Sequence, residues 1–141
     1  MWDRVGELPD EVSDAARALF PGPVTLVVPN PSRRFAWLSP ERPEAVGVRV
    51  PDLHGSAARV LDALGVLVAT SANLPGAADP RRVEDVPAEI LDGVAAVVDA
   101  GELPGTPSTV IDVTGDEPRV LREGALSTEE ALARVRAARN A

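Results

Sequence analysis

Apolar runs rich in β-branched residues recur along this chain, and stretches with helical spacing separate several of them. That alternation limits the fold more than any other feature, because a period of two and a period of about 3.6 bury their apolar faces against different neighbours. VTLVV (Val24–Val28), AVGVRV (Ala45–Val50), VLVAT (Val66–Thr70) and VAAVVDA (Val94–Ala100) read as strands. STVIDV (Ser108–Val113) and PRVLR (Pro118–Arg122), separated by TGDE, read as a hairpin. Asp10–Phe20 places Val12, Ala15, Ala16, Leu19 and Phe20 on one helical face, and Pro21-Gly22-Pro23 ends it. Asn30–Pro43 is polar and proline-containing, hence a loop. Ser56 is expected to cap a helix carrying Ala57, Val60, Leu61 and Leu64, which Gly65 stops. Pro87–Leu91 is a short helix with Pro87 in its first turn. Ser127 and Glu130 form a capping box for a last helix through Ala131, Leu132 and Val135. Strands that alternate with helices and finish in a hairpin predict an α/β fold with a mixed parallel and antiparallel sheet. With 141 residues and no repeat, low-complexity tract or linker, residues 1–141 read as one domain.

Composition excludes several chemistries. The chain has no cysteine, which removes disulfides, thiolate metal sites and cysteine nucleophiles. It has no lysine either, so a lysine Schiff base and the GxxxxGK[ST] phosphate loop are out. The single histidine, His54, rules out a histidine-based metal cluster, and no metal site is assigned. A formal charge of −8 makes the chain a poor non-specific nucleic-acid binder. Any RNA affinity is expected to be local and weak, with Arg33, Arg34, Arg81 and Arg82 as contacts. The N-terminal residues lack the basic start and apolar core of a signal peptide, and no run reaches membrane-span length, so a cytoplasmic location is expected.

Polar residues cluster where the apolar runs end. VLVAT is followed by Ser71-Ala72-Asn73 and then Pro75-Gly76. In open α/β sheets ligands sit beyond the carboxyl ends of strands, so Ser71 and Asn73 are candidate ligand contacts; a Ser or Asx turn that serves the local backbone is the other reading. Arg49 interrupts VGVRVP, either on a solvated face or as a bidentate partner for carboxylate or phosphate. Ser108 and Thr109 open a strand, and Arg122 closes one before Glu123-Gly124-Ala125. His54 reads as a loop residue and Gly22 as a turn former. No catalytic nucleophile is identified.

FPGPVTLVVP, VGVRVPDLH, VATSANLPG, STVIDVTG and VLREGAL occur in the order and approximate spacing of the YrdC/Sua5 family, and the chain resembles that family from about Leu19 to Leu126. The resemblance implies a twisted YrdC-like (RibB-like) sheet with flanking helices and a concave, positively charged cavity. It implies L-threonylcarbamoyladenylate synthesis: L-threonine, bicarbonate and ATP, with Mg²⁺, give threonylcarbamoyladenylate and pyrophosphate. A downstream transferase machinery uses that product for the N6-threonylcarbamoyl modification of adenosine in tRNA. By position, Arg49, Ser71 and Ser108 match the family's threonine contacts, and Asn73, Arg81, Thr109 and Arg122 its nucleotide contacts. The family also has an N-terminal segment with a T-x-Y-G-L-like stretch and a Lys-x-Arg motif, neither of which is in this sequence. The expectation is therefore an N-terminally truncated domain holding part of the site and inactive, or nearly so, as a synthase. Two other readings stay open: a non-catalytic nucleotide- or double-stranded-RNA-binding remnant, and a YrdC-like O-carbamoyltransferase domain.

Overall fold

A computed structural model describes residues 8–139. The chain divides into two compact units, one made of the chain up to Gly65 and from Ser108 onward, the other of Val66–Pro107.

The first unit is an α/β layer. Helix α1 (Asp10–Leu19) begins with Asp10 and Glu11, whose charges suit a helix N-terminus, and its C-terminal cap is Phe20. A cis Phe20–Pro21 bond follows. Strand β1 (Val24–Pro29) runs antiparallel to β2 (Ala45–Val48) and parallel to β3 (Thr109–Asp112). Strand β4 (Arg119–Arg122) closes the predicted hairpin antiparallel to β3, with an irregularity between Val110 and Ile111. The sheet order is β2-β1-β3-β4. Mixed pairing thus appears as the alternation predicted.

Period two decides which side of the sheet is the core. In β1, Val24, Leu26 and Val28 are buried while Thr25, Val27 and Pro29 are only partly so. The buried set joins Val46 of β2, Ile111 of β3 and Val113 under α1 and helix α4 (Thr128–Arg139). Val12, Ala15, Ala16 and Leu19 come from α1, and Ala131 and Val135 from α4. Full burial of a Val or Leu contributes roughly 1.5–3 kcal/mol, so this cluster is the unit's main source of stability. Ser127 does accept the Glu130 N–H (3.3 Å), as a capping box requires. The Glu130 carboxylate pairs with Arg134, and the Glu123 carboxylate accepts the N–H of Thr128, the residue after Ser127, at 2.8 Å.

Helix α2 (Gly55–Leu64) corrects one capping prediction. Its cap is His54, Ser56 lies inside the first turn, and no side chain caps it. Gly65 ends it as expected, with φ +75°, a value that disfavours any residue with a Cβ, and its N–H reaches Leu61 O at 2.7 Å.

The second unit departs further from the sequence reading. Neither Val66–Thr70 nor Val94–Ala100 forms a strand. Both are exposed, Val98 at 78%. β-branched composition marks a segment able to pair, but a strand exists only where a neighbouring backbone completes its ladder. Helix α3 (Ala88–Leu91) forms as predicted, although Pro87 is its cap and not part of its first turn. No helix among the described residues is long and apolar enough to cross a membrane.

Candidate functional site

The sheet face opposite α1 and α4 carries a polar row. Alternation along β1 sends Thr25 to that face. The β1–β3 register pairs Thr25 with Val110, so Ser108, two residues earlier, is its diagonal neighbour on the same face. The β3–β4 register then sets Arg122 opposite Val110. The side chains meet: Thr25 Oγ1 and Ser108 Oγ are 2.9 Å apart. The Arg122 guanidinium donates to the Ser108 carbonyl from Nε (3.3 Å) and Nη2 (3.0 Å), and Nη2 also approaches Ser108 Oγ at 3.4 Å. Ser108 is buried. Arg122 is exposed.

Arg49 stands at the other end of the row. Strand β2 stops at Val48, one residue before the arginine that the sequence places inside it. Leu26 pairs with Val48, so continuing the register brings Arg49 opposite Thr25. Arg49 lines a cleft of about 370 Å³ with Pro21, Gly22, Pro23, Pro51, Asp52 and Leu53. Gly22 is required there: a Cβ would come within 2.8 Å of Leu19 O, and its N–H ties the turn to Val50 O at 2.9 Å. No described residue bonds or pairs with the Arg49 guanidinium, unlike Arg122. An unpaired guanidinium beside a cleft suits a carboxylate. His54 and Asp52 are exposed neighbours, 3.7 Å apart.

Thr109 points the other way, into the core. Its hydroxyl donates to Leu126 O and accepts the N–H groups of Gly124 (3.0 Å) and Leu126 (3.1 Å). It fastens the Glu123–Leu126 turn to β3.

A second polar group lies further along the same face. Asp112 is buried, accepts the Arg42 guanidinium at 2.7 Å, and accepts the Thr114 hydroxyl (2.6 Å) and N–H (2.9 Å). Arg42 also reaches Thr114 Oγ1 at 2.8 Å and Glu44 at 3.6 Å. Burial pushes the Asp112 carboxyl up, but the bonds from Thr114 and Arg42, with the Arg42 charge, hold it below the usual carboxylate range. The same contact raises the Arg42 guanidinium. These bonds anchor the Asn30–Pro43 loop to the hairpin.

In the second unit Ser71 is exposed and Asn73 half-buried. The Asn73 amide donates to Ala77 O at 2.6 Å, the local-turn role that the sequence allowed. Arg81 and Arg82 converge on Glu102, Arg81 at 2.9 Å, and Arg81 Nε also donates to Leu103 O at 3.3 Å. Two of the four arginines expected at RNA are therefore ion-paired. Arg34 lies over the Phe35 ring at 5.5 Å. The structure brings Ser108 and Arg122 together on one face, with Arg49 placed across Thr25 from them by the strand register; Ser71, Asn73 and Arg81 belong to the other unit. Thr25 is the member that sequence reasoning passed over, because a threonine inside VTLVV carries no mark beyond strand propensity.

Residues 1–124 match the Sua5/YciO/YrdC family model, described as "Telomere recombination". The chain belongs to that family. A relative from Mycobacterium tuberculosis is 37% identical over 126 residues, 89% of this chain and 57% of that protein. Threonylcarbamoyl-AMP synthase of Pyrococcus abyssi is 33% identical over 88% of this chain and 36% of its own length. The chain thus spans little more than half of one of these relatives and about a third of the other. Among solved structures, P. abyssi Sua5 complexed with L-threonine superposes with a TM-score of 0.72 at 28% identity, over 95% of this chain and 41% of that one. Escherichia coli YciO superposes with a TM-score of 0.61 at 29% identity, over 92% and 73%. The mixed sheet expected from sequence is thus the fold of Sua5 and YciO.

Proposed function

We propose that this chain binds L-threonine and a nucleotide as part of a threonylcarbamoyl-AMP synthase of the tRNA-modification route. The observation that carries the proposal is the polar face of the sheet, where Arg49, unpaired among the described residues, stands beside a cleft opposite Thr25, and Ser108 and Arg122 are joined on Thr25's other side. Family membership and the threonine complex of a Sua5 relative support it. The family match runs through both units, which supports reading residues 1–141 as one domain.

In this reading Arg49 takes the threonine carboxylate, the Ser108 hydroxyl bonds the threonine, and Arg122 meets the nucleotide. Ser71, Asn73 and Arg81 keep the roles that the family resemblance implies, and Thr109 holds the turn that presents Arg122. The threonine amine and bicarbonate condense to a carbamate, a C–N bond replacing a C–O bond of bicarbonate and water leaving. Its oxygen attacks the α-phosphorus of ATP, and pyrophosphate leaves. Preorganised cations lower the barrier by stabilising charge on the phosphates. Mg²⁺ would ride on the ATP phosphates, which is how it is commonly held.

The test is calorimetric titration of the 141-residue chain with L-threonine, alongside pyrophosphate release dependent on threonine and bicarbonate. One charge-assisted contact is worth roughly 1.5–3 kcal/mol, so Arg49→Ala should weaken threonine binding about tenfold to a hundredfold. L-threoninol, which lacks the carboxylate, should not compete. No saturable threonine binding, or equal binding by Arg49→Ala, overturns the assignment.

A further inference from the structure

We propose that Thr25 is a positioning residue of this site, acting through Ser108. The inference rests on the threonine-binding reading above and adds a residue to it. Thr25 sits on β1, between β2 and β3. Its side chain is oriented by both neighbours. A Cβ on Gly47 of β2 would lie 3.6 Å from Thr25 Cγ2, so the methyl faces β2. The hydroxyl faces β3 and meets Ser108 Oγ at 2.9 Å. A β-branched side chain has few χ1 choices, so this hydroxyl is fixed once the methyl is seated.

The two hydroxyls share two protons. One lies between them. Among the described residues no other acceptor bonds either oxygen, so the second proton is not committed within the fold. Arg122 Nη2 approaches one lone-pair side of Ser108 Oγ, and its remaining bonds hold the Ser108 carbonyl. Thr25 thereby selects the Ser108 rotamer, and Ser108 fixes where the Arg122 fork begins. Valine would fill the same strand position by propensity and shape, as it does at Val24, Val27 and Val28. The hydroxyl is what valine lacks.

The experiment compares Thr25→Val, Thr25→Ser, Ser108→Ala and the double variant Thr25→Val/Ser108→Ala. Two readouts are used: L-threonine affinity by calorimetry, and the Ser108 Hα–Hβ couplings by NMR without ligand. Loss of one oriented hydrogen bond predicts threonine binding about three- to tenfold weaker in Thr25→Val. Thr25→Ser should recover to within about twofold of the unaltered chain. In the Ser108→Ala background, Thr25→Val should add less than about twofold, since its route of action is gone. Ser108 should hold one rotamer in the unaltered chain and average between rotamers in Thr25→Val. Unchanged couplings overturn the proposal whether or not threonine binds. So does unaltered affinity in Thr25→Val, or a loss that persists in full without the Ser108 hydroxyl. If the unaltered chain binds no threonine while the couplings collapse in Thr25→Val, the positioning stands and the threonine reading falls.

Discussion

Asp112→Asn removes one charge from the first unit and keeps its shape. The carboxylate is 2% exposed. One oxygen serves Thr114 and the other serves Arg42. An asparagine can turn its carbonyl toward Thr114, but its NH₂ then faces the Arg42 guanidinium, donor against donor. The loss is one charge-assisted hydrogen bond, about 1.5–3 kcal/mol, and part of the penalty for an unmatched cation. Arg42 is 37% exposed and can reach water, which keeps the second contribution small. The sum is about 2–3 kcal/mol at neutral pH. Urea unfolding followed by far-UV circular dichroism, repeated across pH, measures it. Asp112 is held below its ordinary range when folded. Its contribution is therefore complete above the unfolded carboxylate value near ~3.9 and is lost as pH falls through the lower folded value. The gap between the unaltered chain and Asp112→Asn should be full at about pH 7 and close below about pH 4. A gap under about 0.5 kcal/mol at neutral pH, or one that stays constant into acid, refutes the reasoning.

Thr109→Val should cost about 2–4 kcal/mol in the same urea assay, because it strands the carbonyl and N–H of Leu126 and the N–H of Gly124; Thr109→Ser should recover most of that. Gly65→Ala should cost about 1–2 kcal/mol, since Gly65 holds φ +75° at the end of α2; an unchanged midpoint would mean that the cap is not left-handed. Val98→Asp should stay within about 0.5 kcal/mol, because Val98 is 78% exposed; a loss above about 2 kcal/mol would show that Val94–Ala100 is buried in solution.

The first unit was legible because its local and tertiary signals agree. Val24–Val28 pairs on both sides, so its composition and its burial point to one assignment. The α1 stripe read from spacing is buried at Val12, Ala15, Ala16 and Leu19, where α1 meets the sheet and α4. Val66–Thr70 has the same composition but no ladder among the described residues, and composition alone cannot supply one. Ser56 failed as a cap for a related reason. Gly55, at φ +63°, starts the helix two residues earlier than a Ser56 cap would place it.

Of the residues singled out in the sequence, Ser108, Arg122 and Arg49 fall on one sheet face, while the roles of the other polar residues were not legible. A hydroxyl or amide is chemically undecided until its neighbours are known. Thr109, read as a nucleotide contact, spends its hydroxyl on a turn, and Asn73 spends its amide on Ala77 O. Thr25, read as strand filler, faces Ser108. The Asn73 turn is local, but the Thr109 and Thr25 contacts reach 17 and 83 positions along the chain, and no local pattern encodes those. An arginine carries more information, since its charge demands a partner or water wherever it lies. Arg42, Arg81 and Arg82 each have a carboxylate partner within the fold. Arg49 has none among the described residues. Among the described residues Arg33, Arg59 and Arg136 lack a carboxylate partner too, so the ion-pair accounts narrow the choice without making it; what separates Arg49 is its place, beside the Pro21–Pro23 cleft and across the strand register from Thr25.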